Sequence, residues 1–346
     1  MTRAGSDNLG ALRVFAAGLV ILGHSFVMVG AEPPAWFGVG VHTLAVRVFF
    51  VISGYLVAGS WIADPAPLRF AARRVLRIMP ALIVTVVLTV VVVGPMATVL
   101  PWRAYAADAE TRTYLWNALL APYYALPGVF QDGRPFTAVN GSLWSLPVEA
   151  AMYVLLPFYA GRRLVAVVAV LALAAAFAFT VVWPGQVQPV VYWTSIPFAL
   201  RYASDFVLGA GMRVWRLERW LNLQGALAVL AVLAVLPPGP AVQAALLAGV
   251  PYIVLAFGLA APAVFGRVGR RNDVSYGLYL WGGPVGQVGV SLLGVGLGGW
   301  GLAVWTLPVA GGLAWASWRL VERPCLAWKP RRAVALTAVR QYGAAP

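Results

Sequence analysis

The chain has 346 residues, 61% hydrophobic and only 10% charged, with 25 basic and 11 acidic side chains and a formal net charge of +14. A soluble globular chain is about 45–50% apolar and about 25% charged, so a water-solvated globule, a disordered chain and a soluble secreted protein are excluded. A single cysteine, Cys325, excludes a disulfide scaffold.

Such an excess of cations would point to nucleic acid in a soluble chain. In an apolar chain no nucleic-acid partner is expected, and the arginines instead mark the cytoplasmic side of a membrane. All basic residues but Lys329 are arginines. With abundant Ala and Val, this fits a bacterial source of high GC content.

A spanning helix needs about 20 mainly apolar residues. Ten segments qualify: 9–30, 39–62, 78–100, 141–160, 164–183, 190–211, 221–237, 241–262, 274–295 and 299–321. Stretches 165–182 and 223–236 do not alternate, as strands of a membrane β-barrel would. The expected fold class is an all-α integral membrane protein of about ten transmembrane helices.

The first segment carries Arg13 and His24 and lacks a small-residue cleavage site, so it reads as a span and not a signal peptide. Arg69, Arg73, Arg74 and Arg77 fall between the second and third segments. Arg162 and Arg163, then Arg213, Arg216 and Arg219, then Arg267, Arg270 and Arg271, fall in every second connection thereafter. Arg3 precedes the first segment, and Arg319, Arg323, Lys329, Arg331, Arg332 and Arg340 flank or follow the last. With ten spans all of these share one side, which places both termini in the cytoplasm. On the opposite side Arg103, Arg112 and Arg134 are balanced by Asp108, Glu110 and Asp132. That side carries the long loop 101–139, rich in Trp, Tyr and Pro, and loops of this length are usually functional or disordered. Residues 1–330 form a single transmembrane domain and 331–346 a basic cytoplasmic tail. The ninth segment holds Gly282, Gly283, Gly286, Gly289 and Gly294, the small residues of close helix packing.

Ionisable groups inside spans are costly and mark function by default. Arg13 and His24 lie 11 residues apart in the first segment. Eleven steps return a helix to nearly the same face, about 16 Å further along. One face therefore carries a cation near the cytoplasmic end and, past the midplane, the side chain best suited to general-base work near neutral pH. The bland alternative is a snorkelling arginine and a hydrogen-bonded structural histidine. Glu149, in the fourth segment near Pro147, is a buried carboxylate that needs a partner. A histidine or an arginine such as Arg47 would serve. Arg201 and Asp205 are spaced to neutralise each other along one helix. Arg73 and Arg77 share a helical face and suit phosphate, although the Arg69–Arg77 cluster also reads as a simple topology signal. His42, alone, reads as a hydrogen-bonded interfacial residue, and two histidines without further ligands make no zinc site, so no metal is expected.

Six motifs then occur in order. They are Leu9-Gly-Ala-Leu-Arg13 with Val20-Ile-Leu-Gly-His24-Ser25, Phe49-Phe-Val-Ile-Ser53-Gly54-Tyr55-Leu56, Arg73-Arg74-Val-Leu-Arg77-Ile-Met-Pro80, Asn140-Gly-Ser-Leu-Trp144-Ser-Leu-Pro-Val-Glu149, Asp273-Val-Ser-Tyr276-Gly-Leu-Tyr279-Leu, and Val321-Glu322-Arg323-Pro324. Together they resemble the acyltransferase family 3 membrane proteins across about 315 residues. One departure is Gly283, where many members carry a histidine before the proline.

The resemblance implies an inner-membrane O-acyltransferase. Such a protein moves an acyl group, usually acetyl, from acetyl-coenzyme A or another acyl-CoA to a hydroxyl of a cell-surface glycan such as O-antigen or exopolysaccharide, or of a lipid-linked sugar. His24 would be the base or would carry an acyl-His intermediate, Glu149 would orient or charge-stabilise the imidazole, and Arg13 with Arg73, Arg74 and Arg77 would hold the coenzyme A phosphates. Second-rank pocket candidates are Arg47, Ser53, Tyr55, Asn140, Ser142, Trp144 and Tyr276. Expected partners are membrane lipid, a glycan or lipid-linked saccharide acceptor, and polysaccharide assembly machinery. The SGNH hydrolase-like domain of some relatives is not expected in this chain. The rival reading is a multi-span transporter or flippase for glycan or lipid.

Overall fold

The computed structural model describes residues 7–131, 133–178, 189–192, 194–262, 264, 265, 268 and 272–330. The predicted tail 331–346, the residues Arg3, Asp132, Arg267, Arg270 and Arg271, and the end of the predicted segment 164–183 lie outside the described residues. The described chain is almost wholly helical. Its main helices are α1 (Leu9–Met28), α2 (Val41–Ala63), α3 (Pro67–Leu88), α4 (Ser145–Tyr159), α5 (Arg162–Phe177), α6 (Ile196–Val214), α7 (Leu223–Val235), α8 (Pro240–Leu255), α9 (Ser275–Leu293) and α10 (Gly298–Ser317). Short helical turns and two antiparallel strand pairs join them: β1 (Ala35–Trp36) with β2 (Val39–Gly40), and β3 (Val190–Val191) with β4 (Thr194–Ser195).

Five helical stretches among the described residues are long and apolar enough to cross a membrane: Leu9–Met28, Val41–Ala63, Pro67–Ala97, Pro240–Ala260 and Val295–Ala327. The last three are extended by π-helical turns at Thr89–Val93, Ala256–Ala260 and Trp318–Glu322. By contrast α4 has only 15 residues, and α6 carries Arg201, Asp205 and Arg213.

Two helix starts differ from the hydropathy pattern. The third predicted segment begins at 78, but α3 begins at Pro67, so the arginine cluster occupies its first turns and not a loop. Proline is favoured there because the first helical N–H has no partner to lose. A hydropathy window misses these turns because the arginines offset their apolar neighbours. The sixth segment, predicted from 190, opens instead with β3 and β4, and α6 starts only at Ile196 with Pro197 in its first turn.

α2 lies at the centre. It crosses α6 so closely that a Cβ on Gly54 would strike the Phe206 carbonyl and one on Gly209 would strike the Val51 carbonyl. Small residues allow such backbone approach where lipid gives no hydrophobic drive to association. α1 packs on α2, α9 and α10, and Val20, Phe50, Leu82, Phe206 and Leu280 fill the main core around it. The periphery stays apolar, with Phe15, Phe158, Val304 and Leu320 exposed, as a lipid-solvated surface requires.

One ion pair is sealed in this core. Arg47 of α2 donates to both oxygens of Asp205 on α6, at 2.7 and 2.8 Å, and to the Leu246 carbonyl of α8 at 2.9 Å. The bidentate partner of Asp205 is thus on another helix and not Arg201, four residues away. Arg201 stacks on Phe198 and stays within electrostatic range of Asp205. A buried charge left unpaired costs several kcal/mol by order of magnitude, so this pair fixes the relation of α2, α6 and α8.

Candidate active site

α1 carries ionisable groups toward its two ends, and each belongs to a different constellation. Toward its C-terminal end His24 faces a cavity of about 430 Å³. The cavity lies where α1 ends and where α2, α4 and α6 begin. His42, Tyr124, Phe136, Trp144, Phe198, Tyr202 and Tyr279 share its wall. Trp144 packs against Tyr202 and Phe198 with ring centroids 5.0 and 6.2 Å apart. The lining is therefore mostly aromatic with a few polar edges, the usual make-up of a small-molecule site.

The imidazole of His24 is oriented by its own helix. Nδ1 lies 3.0 Å from the Val20 carbonyl oxygen. A carbonyl only accepts, so Nδ1 carries the proton of the neutral ring and Nε2 keeps its lone pair. Nε2 has no hydrogen-bond partner among the described residues, and the ring lines the cavity. The next residue, Ser25, is tied to the Ile21 carbonyl at 2.9 Å.

The Asn140–Trp144 segment builds one wall. The Asn140 side chain accepts from the Ser142 N–H at 3.3 Å, which caps a 3₁₀ turn, and donates to the Leu280 carbonyl of α9 at 2.8 Å. Tyr279 donates to the Ser142 carbonyl at 2.6 Å and lies 2.5 Å from Ser145 Oγ. Asn140 and Ser142 are buried in this joint and do not line the cavity, whereas Trp144 does. A Cβ on Gly283 would come 2.6 Å from Asn140 Oδ1, so here Asn140 occupies the space beside that glycine.

Toward the N-terminal end of α1, arginines from two helices meet carboxylates from three places. Arg13 and Arg77 both bind Asp273, at 2.9 and 2.6 Å, and Arg77 also reaches Glu322 at 3.4 Å. Arg69 and Arg73 bind Asp64 at 2.6 and 2.7 Å. Burial pushes the Asp273 carboxyl up, but the Arg13 and Arg77 charges hold it well below the usual carboxylate range. Hydrogen bonds from Arg69 and Arg73 lower Asp64 in the same direction.

Arg74 differs from these four. Its guanidinium lies between the Phe70 and Tyr153 rings, 5.8 and 5.7 Å from their centroids. The buried Nε atoms of Arg73 and Arg74 have no hydrogen-bond partner among the described residues. Lys329 is half-buried nearby, and burial together with Arg74, Arg77 and Arg73 lowers its pKa. Tyr276 belongs to this end: it donates to the Ile78 carbonyl at 3.0 Å, beneath the Arg77 guanidinium.

Glu149 joins neither group directly. Its Oε1 accepts from Ser53 and Tyr153, each at 2.5 Å, and it makes no hydrogen bond to His24 or Arg47. Tyr55 lies elsewhere, receiving a hydrogen bond from Arg213 at 3.0 Å. The structure thus brings His24 and Trp144 together at one end and Arg13, Arg73, Arg74, Arg77 and Tyr276 at the other. It gives Glu149, Arg47 and Tyr55 separate partners.

Sequence reasoning assigned no role to four residues of the arginine end: Asp64, Asp273, Glu322 and Lys329. Acids are scarce in this chain, 11 in all, and three of them fall beside arginine-rich turns. That juxtaposition was the available signal. Among the described residues no cluster of three His, Cys, Asp or Glu forms a metal site.

A family profile described as an acyltransferase domain matches residues 6–319, and the chain belongs to this family of membrane acyltransferases. It is 28% identical over 357 aligned positions to nodulation protein 10 of Rhizobium leguminosarum bv. viciae, covering 92% of this chain and 93% of that protein. It is 29% identical over 153 residues to the O-acetyl transferase of Shigella phage Sf6, covering 41% of this chain and 42% of that protein. The chain thus matches less than half the length of the phage enzyme. No solved structure gives a significant match.

Proposed function

We propose that this protein is an O-acyltransferase that moves an acyl group, acetyl by default, from cytosolic acyl-CoA to a hydroxyl of a cell-surface glycan or lipid-linked sugar. In this reading all ten main helices cross a bacterial inner membrane and both termini are cytoplasmic. The observation that carries it is the Nε2 of His24 in an aromatic cavity, on the same helix as Arg13, which lies about 16 Å away along the axis and meets the α3 arginines at Asp273.

A sugar hydroxyl is a poor nucleophile until a base takes its proton during attack. His24 Nε2 takes that proton as the hydroxyl oxygen attacks the thioester carbonyl, and returns it to the sulfur as the carbon–sulfur bond breaks. The Val20 carbonyl does here what a carboxylate does in a catalytic triad: it fixes the tautomer and the ring plane.

The donor's phosphates fit the other end. The guanidinium groups of Arg73 and Arg74, with Lys329 nearby, gather the positive charge that a phosphate would meet. Arg13 and Arg77 contribute less directly, because both are bound to Asp273. The acceptor enters the cavity at the His24 end, from the face opposite the arginines, so the protein passes an acyl group across the bilayer.

The test is acyl transfer in detergent. Purified protein, radiolabelled acetyl-CoA and a crude surface-glycan extract should yield labelled glycan. A protein that moves no label from any acyl-CoA offered would fit the transporter reading instead.

A further inference from the structure

The cavity holds a second imidazole that the proton transfer above does not use. His42 stands in the first turn of α2, and its ring centroid lies 5.3 Å from that of His24, with the planes tilted by 46°. Both rings face the same cavity.

The chain makes a slot for this ring. A Cβ on Gly23 would come within 2.5 Å of His42 Nδ1, and one on Gly40 within 2.8 Å of His42 Cε1. A side chain at either position would displace the ring from this slot. The glycine directly before the base therefore has a physical reason: the His42 imidazole rests against it.

The slot also selects the tautomer. His42 Nδ1 is buried and has no hydrogen-bond partner among the described residues. A buried orphan N–H is rarer in folded proteins than an under-satisfied acceptor, so the proton of the neutral ring sits on Nε2. Nε2 has no hydrogen-bond partner among the described residues either, and the ring lines the cavity. The two rings thus present opposite functions to one cavity: a bare Nε2 on His24 and an Nε2–H on His42. The hydroxyl of Tyr279, in the same wall, already donates to the Ser142 carbonyl at 2.6 Å.

We propose that His42 donates its Nε2–H to the acyl carbonyl oxygen as that oxygen becomes an oxyanion, a role that rests on the acyl-transfer reading above. As the acceptor oxygen bonds to the acyl carbon, the carbonyl π pair moves onto oxygen and the hydroxyl proton moves to His24 Nε2. On collapse the oxygen pair re-forms the carbonyl, the carbon–sulfur bond breaks with its own electron pair leaving on sulfur, and that sulfur takes the proton from His24. His42 keeps its proton throughout. A positioned donor of this kind is worth about 10²–10³-fold in turnover.

The experiment compares wild type with His42→Ala, His42→Phe and His42→Gln, each checked for monodispersity in detergent. Acetyl-CoA is the donor and the glycan extract the acceptor. His42→Phe fills the slot without a donor, so it guards against a packing effect, and His42→Gln retains an N–H. The expected result is a fall in kcat of about 10²–10³-fold for Ala and Phe, with both KM values within a factor of about three, and partial recovery in Gln. Unchanged kcat in Ala and Phe would overturn the assignment, and so would a rise in acceptor KM at constant kcat, which marks a ground-state binder. A wild type that transfers no acyl group would defeat the acyl-transfer reading itself, an outcome distinct from an active wild type with active His42 variants.

Discussion

Arg13 of α1 and Arg77 of α3 donate to the same oxygen, Oδ2 of Asp273, at 2.9 and 2.6 Å. Ser275 binds the other oxygen at 2.6 Å. One carboxylate at the head of α9 thus ties three helices together at the arginine end. Asp273→Asn removes the charge that holds two cations side by side. Losing such charge-assisted bonds costs about 2 kcal/mol, so the melting temperature in detergent should fall. An unchanged melting temperature would show that the clamp is idle.

Arg74 and Arg69 should separate when donor kinetics are measured. Arg69 is bound to Asp64, whereas the Arg74 guanidinium lies between two aromatic rings with no salt bridge among the described residues. A charge-assisted phosphate contact is worth about 1.5–3 kcal/mol, or at least tenfold in affinity. Arg74→Ala should raise the donor KM by at least about tenfold and Arg69→Ala by less than about threefold. Equal effects would return the whole cluster to the status of a topology signal.

Glu149 offers a sharper contrast with His24. Its Oε1 receives hydroxyls from α2 and α4, and no hydrogen bond links it to the imidazole. Glu149→Gln should therefore lower the melting temperature while keeping turnover within about tenfold of wild type. A loss as deep as that of His24→Ala would place the carboxylate in the reaction.

Asp64 sets a pH dependence of stability. Hydrogen bonds from Arg69 and Arg73 lower its native pKa. A carboxyl lowered on folding contributes stability that is present above its unfolded value, about 3.9, and is lost as the pH falls through the native value. The difference in melting temperature between wild type and Asp64→Asn should be constant above about pH 5 and close on further acidification. A difference that widens in acid would contradict the sign of this coupling.

Much of this was legible because lipid punishes charge. In a chain only 10% charged, Arg13, His24, Arg47 and Glu149 stand out against their apolar neighbours in the sequence itself. The 11-residue spacing of Arg13 and His24 gives their shared face, and the length of the apolar runs gives the helices. Partner choice was hidden, since it depends on which helices cross. Asp205 had Arg201 four residues away, yet packing delivers Arg47 from α2. Glu149 was free to meet a histidine or an arginine, and the crossing of α2 with α4 delivers Ser53. His42 looked like an isolated interfacial residue because Gly23 and Gly40, which seat it against His24, lie on separate elements, α1 and the β1–β2 hairpin.

The central claim is that His24 Nε2 is the base for acyl transfer. A single-turnover assay with excess purified wild type or His24→Ala, radiolabelled acetyl-CoA and surface glycan tests it most directly. General-base catalysis contributes about 10²–10⁴-fold. Labelled glycan is expected from wild type, with a loss of that order in His24→Ala and unchanged donor binding in both. Transfer at the wild-type rate by a correctly inserted His24→Ala protein would contradict the claim.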